Sequence, residues 1–206
     1  MTEPAIFIVD DDEAIRDSLQ ILLESAGLPR ITVHESGRDF LDRAQPGPGD
    51  CLVVDVRMPD IDGLELQQIL IERGIDIPVI VMTGHGDIPM AVRALKAGAS
   101  DFIEKPFSDD VILEAIQRAR ARASKDRRQS EEVADIKEHH DNLTERERDV
   151  FQAMIAGHPN KVIAHLLCIS PRTVEIHRAR VMEKMKARSL SSLVRMAIAA
   201  GLSKPA

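Results

Sequence analysis

The chain contains neither tryptophan nor tyrosine, and its aromatic content is five phenylalanines among 206 residues. Stacking platforms for single-stranded nucleic acid are therefore scarce in it. Long apolar runs are missing too: PVIVM at 78–82 is far too short to cross a bilayer. The opening MTEPAIFIVDDD has no basic stretch before its apolar residues and runs straight into acids, so no secretory leader is expected. Cysteine is nearly absent as well. Cys51 and Cys168 stand 117 positions apart; reduced thiols are expected, not a bridge. The expectation is a cytoplasmic chain with no membrane partner.

What is present is globular in kind, with 44% hydrophobic and 30% charged residues. The formal charge of −7 is unevenly spread, with −11 over residues 1–122 and +5 over residues 140–206. An acidic front and a basic tail suggest two tasks, with any polyanionic partner at the tail. Three segments follow: a first domain at 1–122, a charged helical linker at 123–140, and a second domain at 141–206.

In the first segment, short apolar runs alternate with helix-period stretches. AIFIVD, ITVHE, CLVVDV, PVIVMT and DFIEK read as five strands. Between them lie helices from about Glu13, after Ser36, after Gly63 and from about Ile88, and a fifth begins after Ser108. This rhythm predicts an α/β doubly wound parallel sheet, (βα)5. Residues 143–200 keep helix period throughout. Thr144 with Glu147 forms a capping box there, and Ser170 with Pro171 an N-cap and first-turn pair.

In an open parallel sheet, ligands bind beyond the carboxyl ends of the strands. At those ends stand Asp10, Asp11 and Asp12, then Asp55, Thr83 and Lys105. With strand order 2-1-3-4-5, the first and third strands are neighbours and their carboxylates converge. Such acids stay ionised together only around a cation, and oxygen-only ligands suit Mg²⁺. Carboxylate, Mg²⁺, hydroxyl and lysine together make a phosphoryl-transfer site. Asp55 would be the nucleophile, Lys105 would neutralise the phosphoryl oxygens, and Thr83 would donate a hydrogen bond to one of them. Asp12 is expected to cap the first helix, and Asp60 and Asp62 to be turn residues. His85 is either plain loop or a modulator of phosphate lifetime.

FIVDDDE, VVDVRMPDIDG, IVMTGHGD and DFIEKPF resemble, in order and spacing, the signature segments of two-component receiver domains. The resemblance implies Asp55 as phospho-acceptor, Asp10 and Asp11 as metal-site acids, and the Arg57 carbonyl as a further metal ligand. It implies Thr83 and Lys105 as a switch pair, with Phe102 as the aromatic that turns inward when Thr83 moves. A cis peptide before Pro106 is implied as well. An aspartate-nucleophile phosphatase acting on outside substrates would carry Asp-x-Asp at the first strand, and this chain has contiguous aspartates.

GHPNKVIAHLLCISPRTVEIHRARVMEKM reads as a short helix, a tight turn and a capped longer helix. Ile163, Leu167, Ile169, Val174 and Val181 are spaced to fill a small core. Lys161, Arg172, Thr173, Glu175, His177, Arg178 and Arg180 are the candidate contacts to duplex DNA, the longer helix lying in the major groove. The segment resembles the all-α four-helix helix-turn-helix output domain of the LuxR/NarL type, and the whole chain resembles the FixJ branch of response regulators. Cys168 departs from the pattern, standing where glycine or asparagine would more easily adopt positive φ. The helix from about Ser189 to Ala199 is either an output-domain dimerisation helix, as the resemblance implies, or simply packed on its own domain.

The expected function is that of a phosphorelay response regulator. It takes a phosphoryl group from a histidine kinase, dimerises and binds promoter DNA, with RNA polymerase as a further partner. It is no enzyme beyond its own phosphoryl transfer and dephosphorylation. The alternative is a DNA-binding regulator that ignores phosphorylation. Val92 and Lys96 lie four residues apart on one helical stripe, and the resemblance implies that stripe as the homodimer contact.

Overall fold

Alternation at period two decides where each sheet residue goes. The computed structural model describes residues 3–28, 30–84 and 88–203. The chain divides into two units, Met1–Asp126 and Arg127–Ala206.

In the first unit β1 (Ile6–Val9), β2 (Ile31–His34), β3 (Cys51–Asp55), β4 (Val79–Thr83) and β5 (Asp101–Glu104) form one parallel sheet in the order β2-β1-β3-β4-β5. Phe7, Val9, Leu52, Val54, Val79 and Val81 point to one face. They pack there with Phe40 of α2 (Gly37–Arg43), Leu66 and Leu70 of α3 (Gly63–Glu72), and Ala94 of α4 (Ile88–Lys96). Ile6, Ile8, Cys51, Val53, Ile80, Met82 and Ile103 point to the other face. Their partners are Leu19 and Leu23 of α1 (Glu13–Ser25) and Ile112, Ala115, Ile116 and Ala119 of α5 (Asp109–Asp141). Strands covered on both faces are what a parallel sheet requires.

Local chemistry places the helix ends. The Asp12 side chain accepts from the Ala14 amide and caps α1. Asp62 proves to be more than a turn residue. It caps α3 and closes a capping box with Glu65. Gly63 follows, packed so closely under β3 that a side chain there would collide with the Asp55 carbonyl. That contact fixes the start of α3 against the end of β3.

The second unit holds α6 (Glu145–Ile155), α7 (Asn160–Leu166), α8 (Pro171–Lys184) and α9 (Leu190–Ala199). Val150, Phe151, Met154, Ile163, Val174, Val181, Met185 and Leu193 form its centre. α5 runs helical through the charged stretch 123–140, and near its end Ile136 is buried in this second core with Val133 packed beside it. Between α7 and α8 the chain turns at Cys168, with φ of 53°, and the Ile169 amide returns to the Ala164 carbonyl. Ser170 caps α8 and Pro171 opens it, as expected. Among the described residues no helix is long and apolar enough to cross a membrane.

Candidate functional site

β1 and β3 are adjacent and in register, Val9 opposite Val54, so the residues that follow them emerge side by side. Asp10 and Asp55 are both buried, and one cation joins them. Lys105, just past β5, donates to Asp10 Oδ2 at 2.7 Å and to Asp55 Oδ1 at 2.5 Å. The Lys105 amide also donates to the Thr83 carbonyl, which ties the fifth strand end to the fourth. The peptide between Lys105 and Pro106 is cis.

The remaining carboxylate oxygens are occupied from the backbone. Asp10 Oδ1 accepts from the Asp12 amide at 3.0 Å, and Asp55 Oδ2 accepts from the Arg57 amide at 2.6 Å. Arg16 of α1 donates to the Asp10 carbonyl at 2.7 Å. Burial pushes the Asp55 carboxyl up; Lys105 opposes this, the Asp10 charge adds to it, and the net direction is upward. Burial alone would lower the Lys105 ammonium, but its bonds to Asp10 and Asp55 outweigh that and raise it. The site is thus a partly desolvated carboxylate held beside a firmly protonated lysine.

Not every expected residue joins this group. Asp11 is exposed, and among the described residues no three acids, histidines or cysteines lie close enough together to hold a metal ion. The donor chemistry still fits Mg²⁺: Asp10 and Asp55 already converge on one positive charge, and every available ligand is oxygen. Thr83 is buried with its hydroxyl on the Gly84 carbonyl at 3.4 Å, and the Phe102 side chain is 39% exposed. Val92 and Lys96 are both exposed on α4, so Val92 is not core, and Leu95 is exposed beside them. His85 lies outside the described residues.

In the second unit α8 exposes Arg172, Glu175 and Arg180. Thr173, His177 and Arg178 are half-buried along its flanks, and Lys161 is exposed on α7. The Thr173 hydroxyl is already paired with the Ser170 hydroxyl at 2.7 Å. The His177 ring holds its Nδ1 buried without a protein partner. Two residues escaped the sequence reading. Ile176 is exposed on α8, and the signal for it was its spacing, four after Arg172 and three before Ala179. Arg16 had no signal, because a helical arginine six residues from an aspartate looks like any surface charge.

A parallel five-stranded sheet with an acid–acid–lysine cluster at its strand ends, followed by a helix-turn-helix unit, defines a receiver coupled to a DNA-binding output. The family described as "Response regulator receiver domain" matches residues 6–117, and "Bacterial regulatory proteins, luxR family" matches residues 141–197. The transcriptional regulatory protein FixJ of Rhizobium meliloti is 52% identical over 201 residues, covering 98% of each chain. That of Azorhizobium caulinodans is 50% identical over 197 residues, covering 96% of this chain and 93% of the other. Among solved structures, response regulator StyR superposes with a TM-score of 0.83 at 40% identity, over 96% of this chain and 99% of that one. This chain belongs to the FixJ branch of response regulators, with a receiver domain and a LuxR-type DNA-binding domain. It is a transcriptional regulator driven by a phosphorelay, with a cognate histidine kinase and DNA as partners and dimerisation as part of its action.

Proposed function

We propose that Asp55 is the phospho-acceptor and that its phosphorylation dimerises the chain on promoter DNA. The observation that carries this reading is the Lys105 ammonium shared between the buried carboxylates of Asp10 and Asp55. An Asp55 oxygen attacks the phosphorus of the kinase's phosphohistidine. The P–N bond breaks as the P–O bond forms, and the imidazole leaves with its electron pair, taking up a proton from water. Asp10, Asp55 and the Arg57 carbonyl would hold Mg²⁺, with the exposed Asp11 drawn in to complete the ligand set; when bound, the ion neutralises negative charge on the transferring group. Lys105 then follows the charge from carboxylate to phosphoryl oxygen, and Thr83 exchanges the Gly84 carbonyl for another phosphoryl oxygen. Phe102 gives up its exposed position for the space that Thr83 leaves.

The stripe of Val92 and Lys96 is the homodimer contact, supported by the exposure of both side chains and of Leu95 between them in sequence. Residues 1–122 form the switch, 123–140 the connection and 141–206 the DNA-binding part, acting in the cytoplasm with RNA polymerase at the promoter. On DNA, Lys161, Arg172, Arg178 and Arg180 meet phosphates, Glu175 turns toward a cytosine amino group, and Thr173 and His177 support the contact from the flanks of α8. Two tails brought to two half-sites raise affinity through effective concentration without new base contacts. The test compares operator affinity of the parent and Asp55→Asn chains, with and without phosphodonor and Mg²⁺. The donor should tighten binding of the parent only. Equal tightening of both, or of neither, would favour a regulator that ignores Asp55.

A further inference from the structure

Ile176 is a large aliphatic side chain left 49% exposed in the middle of α8. Arg172, Ile176, Ala179 and Glu183 recur at i, i+4, i+7 and i+11, which lines one stripe of a helix, and all four are exposed. Val174 and Val181 hold the opposite side and are fully buried. Ile176 therefore stands on the midline of the face that α8 turns away from its own core. On that stripe its neighbours are charged or small. On α8 itself Ile176 is a single exposed large aliphatic side chain among Arg172, Glu175 and Glu183, so this helix presents no apolar stripe of its own for a protein partner.

A helix seated in the major groove offers that midline to the edges of base pairs. Nearly every group exposed there is a hydrogen-bond donor or acceptor, which isoleucine cannot satisfy. The exception is the thymine 5-methyl. We propose that Ile176 is a specificity-determining residue that reads a thymine methyl in each half-site, with the small Ala179 leaving room for the base edge beside it. This rests on α8 being the helix that enters the groove.

The test starts by selecting duplexes from a random pool with the phosphorylated full-length chain. The enriched duplex is then resynthesised with deoxyuridine in place of each thymidine in turn, a change that deletes only the methyl. For the parent, one thymidine per half-site should lose about fourfold in affinity on that exchange, the worth of one buried methyl. Ile176→Ala should bind the thymidine and deoxyuridine duplexes equally, while Ile176→Val should keep the discrimination. Alanine is the better helix former, so lost discrimination would not reflect an unfolded α8. The proposal is overturned if no thymidine is sensitive, or if Ile176→Ala discriminates as the parent does. If no duplex is enriched at all, the DNA-binding role of α8 fails first.

Discussion

Removing one ammonium from the second unit should expose how firmly α8 is anchored. Glu147 is 2% exposed, and Lys184 Nζ reaches it at 2.6 Å while also donating to the Asn142 carbonyl. Burial pushes the Glu147 carboxyl up, but bonds from Lys184 and from the Thr144 amide and hydroxyl more than reverse this and bring it from 4.5 to about 2. A carboxyl held that low favours the fold by about 3 kcal/mol at neutral pH, at 1.36 kcal/mol per tenfold change in proton affinity. The Lys184 side chain is 36% exposed, so solvent screening brings the expected figure to about 2 kcal/mol. The sign follows from the depressed value. The stabilisation is complete above pH 4.5 and is lost as pH falls toward about 2. Lys184→Met should cost at least this much at pH 7, since it leaves a buried carboxylate with only its capping-box bonds. Amide exchange along α6 and α8 in the full chain reads the change, and carbon NMR of the Glu147 carboxyl reads its titration. A Glu147 that titrates near 4.5 in the parent, or α6 and α8 amides equally protected in Lys184→Met, would refute the reasoning.

Gly63→Ala should drive a methyl into the Asp55 carbonyl, destabilising the first unit by about 1–3 kcal/mol and slowing phosphoryl acceptance. Denaturant unfolding and labelling kinetics check both effects. Lys105→Ala removes the group that holds the Asp55 carboxyl down against burial, so Asp55 should titrate higher in that variant than in the parent, as carboxyl NMR would report. Lys96→Glu should leave phosphorylation intact and block phosphate-induced dimerisation. Sedimentation of the phosphorylated variant as a dimer would move the interface to another face.

The sheet was legible because burial on both faces writes itself as short apolar runs, and the strand ends followed because chemistry collects there in any parallel sheet. Asp12 was readable as a cap, but Asp62 was not, since MPDIDG holds two acids and only the fold decides which one starts the helix. The closeness of Gly63 to Asp55 is a contact across eight residues that no pattern in either segment records. Ile136 hid in a charged stretch, where it and Val133 three positions before it make too short a pattern to read as a helix face. On α8 the polar residues drew the reading to His177 and Arg178, which the structure half-buries. The helix turns Ile176 outward because Val174 and Val181 fix its rotation. Glu147 was legible as a capping residue, whereas its bond to Lys184, 37 positions on, was not.

The central claim is that Asp55 alone accepts the phosphoryl group, in the cluster it shares with Asp10 and Lys105. Intact-mass spectrometry of the full chain after incubation with a small-molecule phosphodonor and Mg²⁺ measures this directly. The parent should gain one phosphoryl group, and Asp55→Asn should gain none; full labelling of the Asp55→Asn chain would contradict the claim.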